Sequence, residues 1–322
     1  MTPDRRSLLI AAALAVAPTI GRAAAPPDDA AIHPGPIPDG HGADVAGPSA
    51  VIDLWPAGPP GGERVSAHQA VIDRTAPGGP RDLAYTHVTH PTLSVFRPVQ
   101  PNGAAMLILS GGAYLRVAMD KEGDDLARWL SARGVTCFVL LYRLPGDGWT
   151  AGLDAPLQDA QRALRLIRHR AADYGVDPAR VGVMGFSAGG HLAARLATAY
   201  ARPVYAPTDE ADAGSLRPDI AGLAYPVATL AGTVQPAASP YAPITVSPGA
   251  PPTFILHAAD DATVPVEISL ALFTALKAAG VPAELHVFEQ GGHGFGLRGV
   301  EGKPAAAWPE LFWAWSRGHG FV

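Results

Sequence analysis

Along the chain, short apolar runs alternate with stretches whose apolar positions recur every three or four residues. "AAMLILS" (104–110), "VTCFVLLYR" (135–143), "VGVMGF" (181–186), "IAGLAYPV" (220–227), "TFILHAA" (253–259) and "AELHVFE" (283–289) read as strands. Such near-continuous apolar runs suit a sheet covered on both faces, which points to parallel pairing. Between them, "EGDDLARWLSARG" (122–134) reads as a helix with Leu126, Trp129 and Leu130 at helical spacing and Gly134 as its stop. "DAPLQDAQRALRLIRHRAADYG" opens on a candidate Asp154 cap and sets Leu157, Ala160, Leu164 and Ile167 on one face. "AGGHLAARLATAY", "VEISLALFTALKAAG" and the closing "AAWPELFWAWSRG" read as helices too. Upstream, "LAYTHVTHPTLSVFRP" reads as one or two short strands broken at Pro91. The alternation predicts an α/β fold, with a mainly parallel central sheet of about eight strands flanked by helices on both faces. Ligands on such sheets bind at the carboxyl ends of strands. The Pro/Ala/Ser-rich stretch between Val227 and Thr253 lacks periodicity and is expected to be a loop or small lid over that edge.

The first 62 residues stand apart from this pattern. Residues 1–25, "MTPDRRSLLIAAALAVAPTIGRAAA", combine a basic start, an apolar run from Leu8 to Ile20 and a small-residue end, and read as an export signal. Arg5-Arg6 before the run suggests twin-arginine export, with a plain secretory signal or a retained anchor as alternatives. A bilayer span needs about 20 apolar residues, so no integral membrane span is expected in the mature chain, and the expected location is the periplasm or the medium. Residues 26–62, rich in Pro, Gly, Ala and Asp, read as an arm or linker pinned by Val51, Ile52, Leu54 and Trp55. Residues 63–322 are then one catalytic domain, a size that α/β folds reach around a single core.

Composition narrows the partners. Hydrophobic residues make up 48% and charged ones 16% of the 322, which excludes a disordered polymer. The formal charge is −5; the first 25 residues carry Asp4 against Arg5, Arg6 and Arg22, a net of +2, so their removal leaves −7. No basic cluster offers a phosphate backbone a surface, so no nucleic-acid partner is expected. Cys137 is the one cysteine, which excludes an intrachain disulfide, and its apolar neighbours predict a buried inert thiol. No His/carboxylate group shows metal-ligand spacing, and no metal or cofactor is expected.

The chemistry enters at the end of "VGVMGF". Gly185-Phe186-Ser187-Ala188-Gly189 is a Gly-x-Ser-x-Gly between a strand and a helix, the context of a nucleophile elbow that holds a serine in a strained conformation. A serine hydroxyl needs a base to take its proton and a third group to orient that base. In the α/β-hydrolase fold these follow in the order acid, then histidine. The strand "TFILHAA" ends on Asp260-Asp261, either of which can supply the acid. After the last strand comes "EQGGHGFG", where His293 lies among glycines in a loop; His191, His257 and His286 fall within helix or strand. An oxyanion needs backbone N–H donors. One follows the nucleophile, at Ala188, and others come from the loop after an early strand, "LILSGGAY", at Gly112 and Ala113. Alanine avoids positive φ, so Ala113 is expected at negative φ, with the special angles confined to Gly111 or Gly112.

"SGGAY", "KEGDDLARWLSARG", "FVLLYRLP", "DAQRALRLIRHRAADYGVDPARVGVMGFSAGGHLA", "DDATVP" and "GGHGFGL" together resemble the bacterial α/β-hydrolase serine esterases that include acetyl xylan esterases and lipase-like carboxylesterases. The resemblance runs from about Leu54 to the end. It implies ester hydrolysis, with removal of acetyl groups from plant polysaccharide fragments as a common activity. The spacing Asp-x-x-Val-Pro in such hydrolases favours Asp261 over Asp260, which then sits on the other face of the turn. Where the family usually carries Gly-Gly-Gly-Tyr, this chain has Ser110 before the glycines and Ala113 in the third place; Tyr114 keeps its position, as an acyl-pocket residue or as a buried structural one.

The expected activity is therefore an exported serine esterase acting on an acylated carbohydrate or another small ester. A general short-chain carboxylesterase and a feruloyl-type esterase are the alternatives. A prolyl-oligopeptidase-like peptidase would share the residue order but usually carries a large extra domain, for which 322 residues leave no room. A non-catalytic binding module on a hydrolase fold would typically lack the nucleophile, base or acid, and here Ser187, His293 and Asp261 are all in place.

Overall fold

The computed structural model describes residues 47–230 and 241–322. The expected export signal (1–25), the first part of the expected arm, and the middle of the expected 227–253 loop lie outside the described residues. In chain order the elements are β1 (Ala50–Asp53), β2 (Ala70–Asp73), β3 (Leu83–Thr86), β4 (Thr92–Phe96), β5 (Ala105–Leu109), β6 (Val117–Ala118), α1 (Asp125–Ser131), β7 (Thr136–Leu141), α2 (Ala155–His169), β8 (Val181–Phe186), α3 (Ala188–Thr198), β9 (Ala221–Ala224), β10 (Thr253–Ala258), α4 (Glu267–Ala278), β11 (Ala283–Phe288) and α5 (Trp308–Gly318).

Eight strands form the main sheet in the order β1-β4-β7-β5-β8-β9-β10-β11. From β7 to β11 every neighbour is parallel, while β1–β4 and β4–β7 are antiparallel. Strands β5, β7, β8, β9 and β10 are buried at every residue, as expected for strands covered on both faces. Strand β11 is the exception: it is an edge strand, so Glu284 and Val287 face solvent. The sequence reading did not anticipate a second, three-stranded antiparallel sheet of β2, β3 and β6. With strands of four, four and two residues, it offers too short a pattern to detect.

Three local expectations need correction. The 26–62 stretch is not all linker: β1 pairs with β4, and Leu54 and Trp55 are buried, Trp55 donating its indole N–H to Asp159 at 2.7 Å. Of the four expected pins, Val51 is exposed. The helix expected at 122–134 begins instead with a π-helical turn over Met119–Asp124 and regularises only in α1. Asp154 does not cap α2; its carboxylate is taken by Arg195 and Arg202. The expected apolar face of α2 is buried, and so is much of its polar face. There Arg143 and Asp159, both fully buried, form an ion pair at 2.8 Å, with the Arg143 N–H also on Asp159. A buried pair of this kind holds only because its hydrogen bonds are filled.

Parallel pairing has one consequence for the site. The carboxyl ends of β5, β8, β10 and β11 lie on the same edge of the sheet, and the loops leaving them carry Gly111–Tyr114, Ser187, Asp260–Asp261 and His293.

Candidate active site

Strand β8 ends on Phe186 and α3 starts on Ala188, so a single residue, Ser187, turns the chain. It does so at φ 53°, ψ −116°, a strained conformation for a residue with a side chain. The turn is tight enough that a Cβ at Gly185 would collide with the Gly189 carbonyl, and one at Gly189 with the Leu109 carbonyl. The Ser187 N–H is fixed by the Ala224 carbonyl at 3.0 Å. The side chain is almost buried, and its Oγ lies 2.9 Å from His293 Nε2.

His293 Nδ1 lies 2.7 Å from Asp261 Oδ2. An ionised carboxylate only accepts, so Nδ1 carries the proton and Nε2 is free to accept from Ser187. Asp261 is held on both oxygens: Oδ1 accepts from the N–H groups of Thr263 and Val264, each at 2.8 Å, and Oδ2 also lies 3.2 Å from His257 Nε2. Burial pushes this carboxyl up, but hydrogen bonds from His257, His293 and Val264 outweigh it and hold the group below the usual carboxylate range. Asp260 points elsewhere and accepts from the N–H groups of Gly291 and Gly292, both at 2.8 Å. Of the two aspartates, Asp261 therefore contacts the histidine, while Asp260 grips the loop that presents it.

The glycine loop after β5 lies against the serine turn. A Cβ on Gly111 would come within 3.0 Å of Ser187 Cβ and 2.9 Å of the Phe186 carbonyl. The expectation for Ala113 fails: its φ is +57°, and Tyr114 follows at +58°, after Gly112 at +134°. The cause is non-local. The N–H groups of Leu115 and Arg116 both close on the Gly112 carbonyl, at 3.0 and 3.1 Å, which winds the intervening residues left-handed. The Tyr114 side chain then anchors the turn. It is 4% exposed, its hydroxyl meets His191 Nδ1 at 2.9 Å, and its ring packs on Tyr142, His191 and Tyr241. That environment is the buried structural one. Among the described residues no protein acceptor takes the N–H groups of Gly112, Ala113 or Ala188. The Gly111 N–H, by contrast, donates to Glu122 Oε2 at 2.6 Å.

The sequence reading missed three residues around this centre. Glu122, from the π-helical turn, is buried behind the glycine loop and also accepts from the Tyr225 hydroxyl at 3.0 Å. Tyr225 follows β9 at φ +37°, and its ring packs edge-on to His293 with centroids 5.1 Å apart. His257 lies on β10, four residues before Asp261, and that spacing was the one signal available for any of them. Cys137 is buried, as expected, and burial pushes its thiol well up; His191 is buried as well. Among the described residues no group of three or more His, Cys, Asp or Glu side chains is arranged to hold a metal ion. None of their helices is long and apolar enough to cross a membrane.

A strand–serine–helix elbow with histidine and aspartate supplied from later strand ends defines an α/β-hydrolase. The BD-FAE family model matches residues 93–214, and the prolyl oligopeptidase family model matches residues 154–316, about half of the chain. The acetyl ester-xyloside bifunctional hydrolase from Caldicellulosiruptor lactoaceticus superposes with a TM-score of 0.64 at 30% identity, over 87% of this chain and 99% of that one. A thermophilic esterase from Thermogutta terrifontis, solved with propionate bound, gives 0.62 at 28% identity, over 72% and 91%. An acetylxylan esterase of Xylanibacter ruminicola is 30% identical over 222 residues, 63% of this chain and 43% of that protein. The chain thus spans less than half the length of that curated relative. It belongs to the α/β-hydrolase esterases and, through residues 154–316, to the prolyl oligopeptidase family.

Proposed function

We propose that the protein is an exported serine esterase that removes small acyl groups, acetyl first among them, from plant-type polysaccharide or oligosaccharide esters. The observation that carries the reading is the continuous chain of contacts from Ser187 Oγ to His293 Nε2 at 2.9 Å and from His293 Nδ1 to Asp261 at 2.7 Å. Ser187 Oγ attacks the ester carbonyl carbon while His293 Nε2 takes its proton. The carbonyl oxygen, now negative, accepts from the N–H groups of Gly112, Ala113 and Ala188. Collapse breaks the bond to the alcohol oxygen, which leaves with the proton from His293. Water, deprotonated by the same imidazole, then frees the acid and restores Ser187. Each oxyanion donor contributes roughly 3 kcal/mol in enzymes of this kind.

The small-acyl and carbohydrate assignment is supported by the names of the acetylxylan esterase and the acetyl ester-xyloside hydrolase. Export is supported by the composition of residues 1–25. The test is hydrolysis of acetylated xylan and xyloglucan fragments beside p-nitrophenyl esters of rising chain length, with a fluorophosphonate probe reporting on Ser187. Release of acetate from the carbohydrates and loss of labelling in Ser187→Ala are expected. Activity confined to long-chain esters would sink the carbohydrate reading, and failure to label the folded protein would favour a non-catalytic binding module. A second reading, peptidase activity, draws on the match at 154–316, and cleavage of chromogenic dipeptides would reveal it.

A further inference from the structure

Glu122 is buried where the glycine loop, the turn after β9 and the loop that carries His293 meet. Its Oε2 takes the Gly111 N–H at 2.6 Å, directly before the proposed oxyanion donors. Its Oε1 takes the Tyr225 hydroxyl proton at 3.0 Å, and that same hydroxyl accepts the Gly296 N–H at 2.9 Å. Gly296 is three residues beyond His293, in a loop wrapped so closely on Glu122 that a Cβ on Gly294 would stand 3.8 Å from Oε1. Tyr225 itself sits one residue after Ala224, whose carbonyl fixes the Ser187 N–H. Both groups facing the carboxylate donate to it, so an anion with two accepting oxygens fits the slot, whereas an amide fits only if the Tyr225 hydroxyl turns round to accept.

We propose that Glu122 is a positioning residue: its carboxylate locks the glycine loop and the histidine loop into one register and faces the imidazolium that forms on His293 during catalysis. This rests on the reading of Ser187, His293 and Asp261 given above. The titratable groups around Glu122 are Tyr225, His293, Tyr142 and Lys121, and those on the His293 side are Asp261 and Tyr225. Burial holds the Glu122 carboxyl above its ordinary range, and the Gly111 N–H, the Tyr225 hydroxyl and the His293 charge offset only part of that rise. To the extent that Glu122 is ionised, removing its charge makes the imidazolium harder to form, so the acid limb of the activity profile should move to lower pH.

The test is Glu122→Gln in the full chain, with circular dichroism to confirm folding and the pH profile of kcat/KM on p-nitrophenyl acetate as the readout. The expected result is a kcat reduced about 10- to 100-fold with KM within about twofold, the scale of a small misplacement of reacting groups, and an acid limb displaced to lower pH. A folded variant with wild-type kcat overturns the proposal, as does a uniform loss with an unmoved acid limb, the mark of a merely structural carboxylate. If Glu122→Gln does not fold, Tyr225→Phe decides, because it breaks the tie to the histidine loop and keeps the carboxylate: a lowered kcat at unchanged KM supports the lock, and wild-type kinetics or a raised KM at unchanged kcat overturns it. Ser187→Ala keeps the two readings separable, because residual esterase activity there would remove the serine mechanism itself, whereas an inactive Ser187→Ala beside a normal Glu122→Gln removes only this inference.

Discussion

His257 Nε2 and His293 Nδ1 converge on one oxygen, Oδ2 of Asp261, at 3.2 and 2.7 Å. His257 is completely buried, and its Nε2 also faces the Val264 carbonyl at 2.9 Å, while Nδ1 meets the Ser269 hydroxyl at 2.7 Å. Two acceptors on the Nε2 side place the proton there, leaving Nδ1 to accept from Ser269. Replacing His257 by Leu strips the Val264 carbonyl and the Ser269 hydroxyl of partners in a buried site. A loss of about 2–4 kcal/mol in urea unfolding is expected. With one donor to Asp261 gone, kcat should fall on the order of tenfold. An unchanged kcat would show that His257 serves packing alone.

The two neighbouring aspartates should separate cleanly by mutation. Asp261→Asn leaves His293 without an anionic partner and free to flip its tautomer, so kcat should drop by roughly 10³–10⁴-fold. Asp260→Ala only frees the N–H groups of Gly291 and Gly292 at an exposed position, and a several-fold fall in kcat is expected. Equal losses at the two positions would contradict the geometry. Steady-state kinetics on one acetyl ester measures both.

Ala113 holds a left-handed conformation that costs about 1–2 kcal/mol for a residue with a Cβ. Ala113→Gly relieves that strain and gives back part of the gain as unfolded-state entropy, leaving about 0.5–1 kcal/mol of net stabilisation. The N–H donor is kept, so activity should survive while the melting temperature rises by about 1–3 °C. Gly112→Ala works in the opposite sense, because its Cβ would strike the Arg116 carbonyl at φ +134°; loss of both activity and stability is expected.

His191 is a pH-dependent element of the core. Burial lowers it from 6.5 to about 4, with its Nε2–H on the Ala242 carbonyl at 2.8 Å. A depressed folded pKa means that the unfolded chain binds the proton first as pH falls. The stabilisation is therefore complete above pH 6.5 and drains away down to about pH 4, on the order of 3 kcal/mol in all. Buried Asp124, raised to about 7, acts in the opposite sense over the same range, so the readout is a difference: the urea-midpoint gap between wild type and His191→Gln should shrink on acidification through that window.

What was legible in the sequence was whatever depends on near neighbours. The apolar runs locate the strands of the parallel core, and the small residues flanking Ser187 mark the elbow. His293 stood out because it follows the last strand in a glycine-rich loop. Residues governed by distant partners were opaque. The Ala113 conformation is dictated by Leu115 and Arg116 closing on Gly112 and by the burial of Tyr114 on His191, 77 residues away. Glu122 looked like an ordinary acid at a helix start; the π-helical turn carries it inward, and no local pattern distinguishes that from an exposed one. The buried polar face of α2 is likewise set by Arg143 and Trp55, which reach it from other elements.

The contact of Gly189 with the Leu109 carbonyl brings main chain against main chain, with no side chain between the serine turn and the strand that feeds the glycine loop. The gap between Ser187 and the glycine loop is then gauged by the peptide unit itself, a spacer whose dimensions do not vary with sequence. Side chains elsewhere around Ser187 can be exchanged without altering that gauge. On the proposed reading, substrate preference and catalytic competence are then separable, and substitutions among those side chains leave the reactive span as it is, provided Gly189 stays bare.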